Sequence, residues 1–412
     1  MAYLIAVCAF FTLLTGGDSD GSGSAAPITP SATPSVAPSL ALDAGYDDGF
    51  YLRSRDGDQE LVIGGLIQTR AQYSGPDRTP SSQFDLQRAR LEFVGRFEEH
   101  FRFALEPRFG AHDFELEEGW VGVELGSGDD MLRIGRMKAP FGLEEVRSRR
   151  HIPFAQFSIL SQFYPAEQHG IFYSGADGDW EWNAAIYNGG GGEETNDGKE
   201  LALRGMWRPF TKRGDRGLRN LAIGAAVTMA REDREVAGDS IDNALGLPLA
   251  TYVPGVRLDG NDRRAGLEFA WFDGPNMLQS EIMFTRQTLT LSGGQGRFDK
   301  CGTYLSAQHV LSGEDISFKG PAIGGKSRGT WVAAARISYL SLDPLYRESG
   351  VIGAKEGGDS ITTLWAGMNY YFNEHVLLRN SLVYSHYEND VIVDGERIYG
   401  EPALLFELQF HF

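Results

Sequence analysis

The chain has 412 residues, with 52 glycines and 12% aromatic residues, and carries a formal net charge of −18 at a pI near 4.9. That acidity argues against a nucleic-acid partner. After residue 15 there is no run of about 18 apolar residues, which excludes helical membrane spans; it does not exclude a transmembrane barrel, whose strands hide their apolar face in alternation.

At the start, Tyr3 to Leu14 is an apolar run too short to span a bilayer. It reads as the core of a secretory signal, although no Lys or Arg precedes it. Residues 1–17 are assigned to the signal peptide. Residues 18–45, rich in Ser, Pro and Gly, read as a disordered segment or extended leader. Cleavage after Ala26 and after Ala41 both remain open. Residues 46–412 form the barrel domain. Of the two cysteines, Cys8 lies in the leader, so Cys301 stands alone and no disulfide framework exists.

From Tyr46 the pattern is one of strands. Leu61–Tyr73 is the first, closed by Ser74-Gly75-Pro76-Asp77. In Phe84–Phe97, one parity reads Ala89, Leu91, Phe93, Gly95, Phe97 and the other Arg88, Arg90, Glu92, Val94, Arg96. Glu98-Glu99-His100 makes a turn. Phe101–Phe109 then repeats the scheme, with Phe101, Phe103, Leu105, Pro107 and Phe109 opposite Arg102, Ala104, Glu106 and Arg108. Side chains alternate across a strand, so each strand has one apolar and one charged face. A sheet on a soluble core would show the same alternation. Repeated Phe on the apolar face, and strands continuing to the last residue without a helical layer, favour a lipid-facing wall. On this reading Leu91→Arg is the disruptive substitution and Arg90→Leu the mild one.

Glu117–Leu125 and Met131–Met137 follow as strands; the phase of the second is ambiguous, since Leu132 and Ile134 share parity with Arg136 and Lys138. Ala139-Pro140-Phe141-Gly142 stops it, because Pro cannot donate to a ladder and Gly permits positive φ. From Arg133 to Arg150 there are six cations (Arg133, Arg136, Lys138, Arg147, Arg149, Arg150) against Glu144 and Glu145. A local surplus of four, in so acidic a chain, marks this segment as the one the wall surrounds.

Further strands are Gly170–Ser174, Trp180–Asn188, Glu200–Trp207, Leu221–Arg231, Arg263–Phe272, Leu278–Leu291, Gly302–Leu311, Thr330–Leu340, Ile361–Phe372 and Val376–Tyr387. Acidic, glycine-rich segments between them, Glu193–Asp197 for example, read as outward loops, and Asn373-Glu374-His375 as a tight turn. The chain ends in Ala403–Phe412, with Leu404, Phe406, Leu408, Phe410 and Phe412 on one face. A terminal strand ending in Phe is what outer-membrane barrels have. At roughly 20–25 residues per strand and loop the domain holds about 16 strands, enough for a water-filled lumen. The fold class is therefore all-β, a transmembrane antiparallel barrel.

The sequence resembles the phosphate-selective porin O and P family. The resemblance rests on Gly64-Gly65-Leu66-Ile67-Gln68, on Leu86-Gln87-Arg88-Ala89-Arg90-Leu91, and most specifically on Ile134 through Glu144, IGRMKAPFGLE. Weaker blocks are Val310–Glu314, Ala335–Leu340 and Asn369–Val376 with the terminal strand. The resemblance implies a 16-stranded homotrimeric barrel in a Gram-negative outer membrane, in contact with its lipid. It further implies a pore loop that narrows the lumen and basic residues there that favour anions such as phosphate. This chain departs from a strongly basic picture, since Glu92 and Glu106 are mixed with the arginines.

Candidate constriction residues are Lys138, Arg147, Arg149, Arg150 and His151, because charges at a narrow point set selectivity. Candidate lumen-wall residues are Arg88, Arg90, Arg96, Arg102 and Arg108, which also have the option of pairing with carboxylates on neighbouring strands. No nucleophile motif, phosphate loop or metal-spaced His/Cys cluster occurs, so no enzyme, cofactor or metal is expected. The expected partners are small hydrophilic solutes and, through the strand ending at Phe412, the barrel-assembly machinery. A non-conducting adhesin or envelope scaffold is the alternative function; an outer-membrane lipase or protease would need a catalytic constellation that is not found.

Overall fold

The alternating pattern becomes sixteen antiparallel strands, each paired with its neighbours in the chain. A computed structural model describes residues 42–75, 81–110, 114–126, 129–189, 198–212, 216–292, 294–323, 329–353, 359–393 and 396–412. The strands are β1 Gln59–Ser74, β2 Ser82–Phe97, β3 Phe101–Phe109, β4 Phe114–Glu124, β5 Met131–Lys138, β6 Glu167–Asp177, β7 Trp180–Asn188 and β8 Lys199–Trp207. They continue as β9 Ala222–Glu235, β10 Arg257–Asp273, β11 Asn276–Leu291, β12 Gly294–Val310, β13 Thr330–Leu342, β14 Ser360–Tyr371, β15 Val376–Val393 and β16 Glu396–His411. The sheet closes where β16 pairs with β1, from Ala403 opposite Ser74 to His411 opposite Leu66. Phe412 completes the seam: Gly65 N–H donates to its carbonyl at 2.9 Å, and its own N–H donates to the Gly65 carbonyl at 3.1 Å. Closure leaves no open sheet edge in the wall, the condition for a sheet to sit in hydrocarbon.

Strand direction alternates, so connections fall into two sets. The tight turns at 98–100, 178–179, 274–275 and 372–375 lie at one end with the C-terminus. The long connections 139–166, 236–256 and 343–359 lie at the other. The stretch Glu193–Asp197 lies outside the described residues. Leu42–Tyr46 and Phe50–Ser54 form a hairpin whose second strand pairs with β1, from Phe50 opposite Ile63 to Arg53 opposite Glu60. Residues 42–45, grouped with the leader by composition, are thus part of the sheet. The hairpin takes up the edge of β1 below the point where β16 ends.

The outward faces are apolar. Val121 is 65% exposed, Leu267 57% and Leu382 58%, with nothing among the described residues packed over them. Aromatic residues flank this band. Phe97, Phe101, Trp180, Trp207, Trp331 and Phe410 ring the turn end, and Tyr73, Phe84, Phe109, Phe114 and Tyr399 the loop end. Paired aromatic girdles are what a bilayer's two interfaces select.

The inside is not uniformly polar. The connections 139–166, 236–256 and 343–353 fold into the barrel and build an apolar core there. Phe141, Ile159, Leu160 and Phe163 pack with Ile241, Leu247, Leu249, Val256, Tyr346 and Ile352. The segment between Arg231 and Arg263 is therefore not a simple outward loop. It carries the hairpin Ser240–Asp242 with Pro248–Thr251, and Asn243 donates to Tyr387 Oη at 2.7 Å and to Glu401 Oε2 at 2.9 Å on the wall.

Candidate pore constriction

The segment 139–166 is fixed by its own sequence block. Phe141 is fully buried beside Gly266 and Met283, seating the segment on the wall. Gly142 has φ 89°, and a Cβ there would lie 2.4 Å from the Tyr164 ring, so the segment can close on itself only with glycine at this point. Glu144 is fully buried, accepts from Ser158 N–H at 2.8 Å and pairs with Arg336 of β13. Glu281 of β11 accepts from the backbone N–H groups of Leu143 at 2.6 Å and Glu144 at 3.1 Å, and from Tyr304 Oη at 2.7 Å. The block is thus a docking device: Phe141, Leu143 and Glu144 meet partners on the wall, and Gly142 lets the segment close on Tyr164.

Further along, wall side chains cap the segment's carbonyls. Arg379 of β15 donates to Ile152 O at 3.1 Å and Arg150 O at 2.8 Å. Asn369 of β14 donates to Pro153 O at 2.7 Å, and Arg70 of β1 to Ala155 O at 2.5 Å. Glu407 of β16 holds Arg379 at 2.6 Å and Arg70 at 3.0 Å. These partners lie on β1 and β11–β16, so the segment hugs that side and leaves its other side turned to β2–β5.

The basic residues named from sequence are not equivalent. Lys138 Nζ donates to the carbonyls of Glu145 at 2.9 Å and Arg147 at 2.8 Å. Arg147 is buried and donates to Gln279 Oε1, His151 O and Phe318 O, all within 2.8 Å. Both act as internal braces. Arg150 donates to His151 Nε2 at 3.0 Å and lies 3.6 Å from Asp48, at the turn-end mouth. Burial, with Arg150 and Arg147 beside it, pushes the His151 imidazole down to about 3, so it carries no charge at neutral pH. Arg149 is different. Its guanidinium lies over the Phe157 ring at 3.9 Å and near enough to Arg88 for the two to repel. Among the described residues it has no hydrogen bond or ion pair.

Across the lumen, the arginines of β2 and β3 face inward and are paired. Arg90 is shared by Glu92, Glu106 at 3.1 Å and Glu117 at 2.9 Å. Arg88 holds Glu117 at 3.1 Å; Arg108 holds Glu115 and, at 3.3 Å, Glu117. Arg102 pairs with Glu124 at 2.7 Å, and Arg96 with Glu60 at 3.5 Å. Two backbone irregularities, neither visible in the parity of the sequence, assemble this ladder. Between Glu106 and Pro107 the β3–β4 register slips, leaving Glu117 as an extra residue. That bulge brings Glu115 and Glu117 to the side of Glu118, which strict alternation forbids. In β5, Gly135 has φ 146°, and a Cβ there would lie 2.2 Å from the Gly119 carbonyl. Across it Arg133 reaches Ser174 Oγ at 3.3 Å and Arg136 reaches Glu115 at 2.8 Å. This settles the ambiguous phase of that strand: both parities reach inward partners.

A closed 16-stranded barrel with aromatic girdles, narrowed by an inward-folded connection, defines a porin. Consistent with that class, the chain belongs to the phosphate-selective porin O and P family, whose profile matches residues 63–394. It is a protein of the Gram-negative outer membrane. No curated protein matches the sequence. Solved structures share the fold at low identity. The outer membrane channel DcaP of Acinetobacter baumannii aligns with a TM-score of 0.57 at 8% identity, covering 87% of this chain and 99% of that one. The anion-selective porin from Comamonas acidovorans gives 0.55 at 11%, covering 86% and 100%. The trimer form of OmpT, an outer membrane protein of Vibrio cholerae, gives 0.54 at 10%, covering 86% and 99%.

Proposed function

We propose that this porin passes small hydrophilic solutes passively and prefers anions, phosphate among them. The observation that carries the preference is Arg149. Its charge is unpaired, while each arginine named on the opposing wall already has a carboxylate. Arg88, Arg90, Arg108 and Arg136 are already paired with Glu92, Glu106, Glu115 and Glu117, so Arg149 is a cation in surplus of these pairs. In a confined lumen that surplus acts more strongly than charges on exposed loops. The overall −18 does not oppose it where the carboxylates lie beyond a Debye length of about 8–10 Å. A homotrimeric assembly is supported by the trimer form of a protein of the same fold, and insertion through the barrel-assembly machinery by the terminal strand closing on β1. The test is the reversal potential across a KCl gradient in planar bilayers. A chloride-to-potassium permeability ratio above one that falls in Arg149→Gln supports the reading. A cation-selective wild type would leave a general diffusion porin, and absence of conductance a scaffold.

A further inference from the structure

On the outer face of β9–β12, near the loop end, strand pairing aligns three successive rows. Val227, Ala265, Phe284 and Cys301 stand side by side as an apolar row. Two residues further toward the loops stand Met229, Arg263, Arg286 and Asp299. Next come Arg231 beside Asn261, and Thr288 beside Arg297. Residues two apart on a strand are separated by about 6–7 Å, so the surface passes from apolar to strongly basic over one short step. Four arginines against Asp299 and its neighbour Asp343 leave a formal surplus of two positive charges, on a chain whose total is −18. Arg286 is held by Asp299 at 2.7 and 2.6 Å. The side chains of Arg231, Arg263 and Arg297 have no hydrogen bond or ion pair among the described residues.

These side chains are not in the lumen. Arg286 is largely exposed, and Val227, Met229 and Phe284 are 41–53% exposed. Their inward neighbours Thr228 and Thr285 are buried. The rows floor an open depression of about 690 Å³, and a second one of about 400 Å³ is lined by Arg231, Asn261, Thr288 and Arg297. The next carboxylates toward the loops are Asp233, paired with Arg257 at 2.6 Å, and Asp259. The basic band is therefore bounded: hydrocarbon-facing residues on one side, acidic loop bases on the other.

We propose that this face binds a phosphorylated lipid of the outer leaflet, its acyl chain on Val227, Ala265 and Phe284 and its phosphate on Arg263, Arg286 and the arginines above them. Guanidinium groups pair with phosphate in a two-pronged geometry, and unpaired ones at the edge of a bilayer are stabilised by anionic headgroups. A free phosphate ion would have no use for the apolar row directly below. Bound lipid of this kind would anchor the barrel on this flank without touching the conduit.

Native mass spectrometry of the full chain in neutral detergent tests this, with bisphosphorylated lipid A as probe and the same lipid stripped of phosphate as control. The wild type should retain the phosphorylated lipid, and Arg263→Gln/Arg286→Gln should bind it roughly thirtyfold more weakly. Phe284→Ser should also weaken retention, which a site for free phosphate would not show. Single-channel conductance should stay at the wild-type value, confirming a folded barrel. If the glutamine pair fails to insert, Arg263→Lys/Arg286→Lys keeps the charge and loses only the two-pronged geometry, so it should bind at intermediate strength. Equal retention by wild type and the substituted pair, equal retention of the phosphate-free lipid, or inorganic phosphate binding with no lipid retained would each overturn the proposal.

Discussion

Glu144 and Arg336 form an ion pair with both side chains almost wholly removed from solvent, joining the inward segment to β13 at the middle of the barrel. The Arg336 guanidinium also lies over the Phe154 ring at 4.7 Å and donates to Gln156 O at 3.3 Å, so one side chain holds three points of the segment. The pair is the main charge link between the constriction and the wall, and it sits where water cannot substitute for a lost partner.

Breaking it should release the segment. Removing one member of a buried pair typically costs about 3–5 kcal/mol, because the other charge is left uncompensated. Arg336→Met should therefore raise single-channel conductance and its noise, as the segment leaves the wall and the lumen widens. Replacing both, Glu144→Gln with Arg336→Met, should be milder than Arg336→Met alone. Planar-bilayer recordings of both proteins decide it; identical open-state conductance in wild type and Arg336→Met would show that the pair does not hold the constriction.

The terminal residue is predicted to matter through its backbone. Phe412 makes both seam hydrogen bonds to Gly65, and its ring meets Phe410 at 5.8 Å and Phe50 at 5.9 Å. Deleting it removes the last rung of the closing ladder and the contact with the N-terminal hairpin. The yield of heat-modifiable, membrane-inserted protein should fall. Insertion at the wild-type level would mean that the seam is set by Ala403–His411 alone.

A third expectation separates the two faces of the wall. Leu267→Arg places a charge in the outward apolar band, at a cost of about 2–4 kcal/mol near the midplane. It should lower the denaturant midpoint in liposomes, and an unchanged midpoint would contradict lipid exposure there. Arg90→Leu, which alternation alone rates as mild, should be comparably damaging. Its removal leaves Glu92, Glu106 and Glu117 clustered without their shared cation.

That contrast shows what the sequence carried and where it stopped. Parity in Arg88–Arg96 and Arg102–Arg108 was enough to place those residues on one face, and the strand positions followed from the same period. The inward segment was legible as a basic stretch bounded by Pro140 and Gly142. Which arginine stays unpaired was not legible, because it depends on non-local partners: Gln279 and Phe318 for Arg147, and the carbonyls of Glu145 and Arg147 for Lys138. The slip at Glu117 was hidden for a different reason. A bulge adds a residue to one strand without marking its composition. The apolar hairpin around Ile241–Leu249 did carry a signal, in that Ile241, Leu245, Leu247 and Leu249 are too apolar for an outward loop.

The last prediction concerns pH. Glu145 lies in the inward segment, 4% exposed, and burial pushes its carboxyl up to about 7 against the opposing pull of Lys138 and Arg149. In the unfolded chain the group titrates near 4.5. Between those values the folded protein keeps a proton that the unfolded chain has released, so this group's contribution to docking is fully present at low pH and is lost as pH rises toward 7. The same step changes selectivity. Above about pH 7 a carboxylate appears beside Arg149 and offsets the unpaired positive charge, so the chloride-to-potassium permeability ratio should fall as pH is raised from about 5 to about 9. Glu145→Gln, which cannot ionise, should hold the low-pH ratio across the whole range. Reversal potentials at low salt, where screening is weakest, measure both proteins directly. A wild-type ratio that does not move through pH 7, or a glutamine variant that keeps the wild-type step, would remove Glu145 from the selectivity of the constriction.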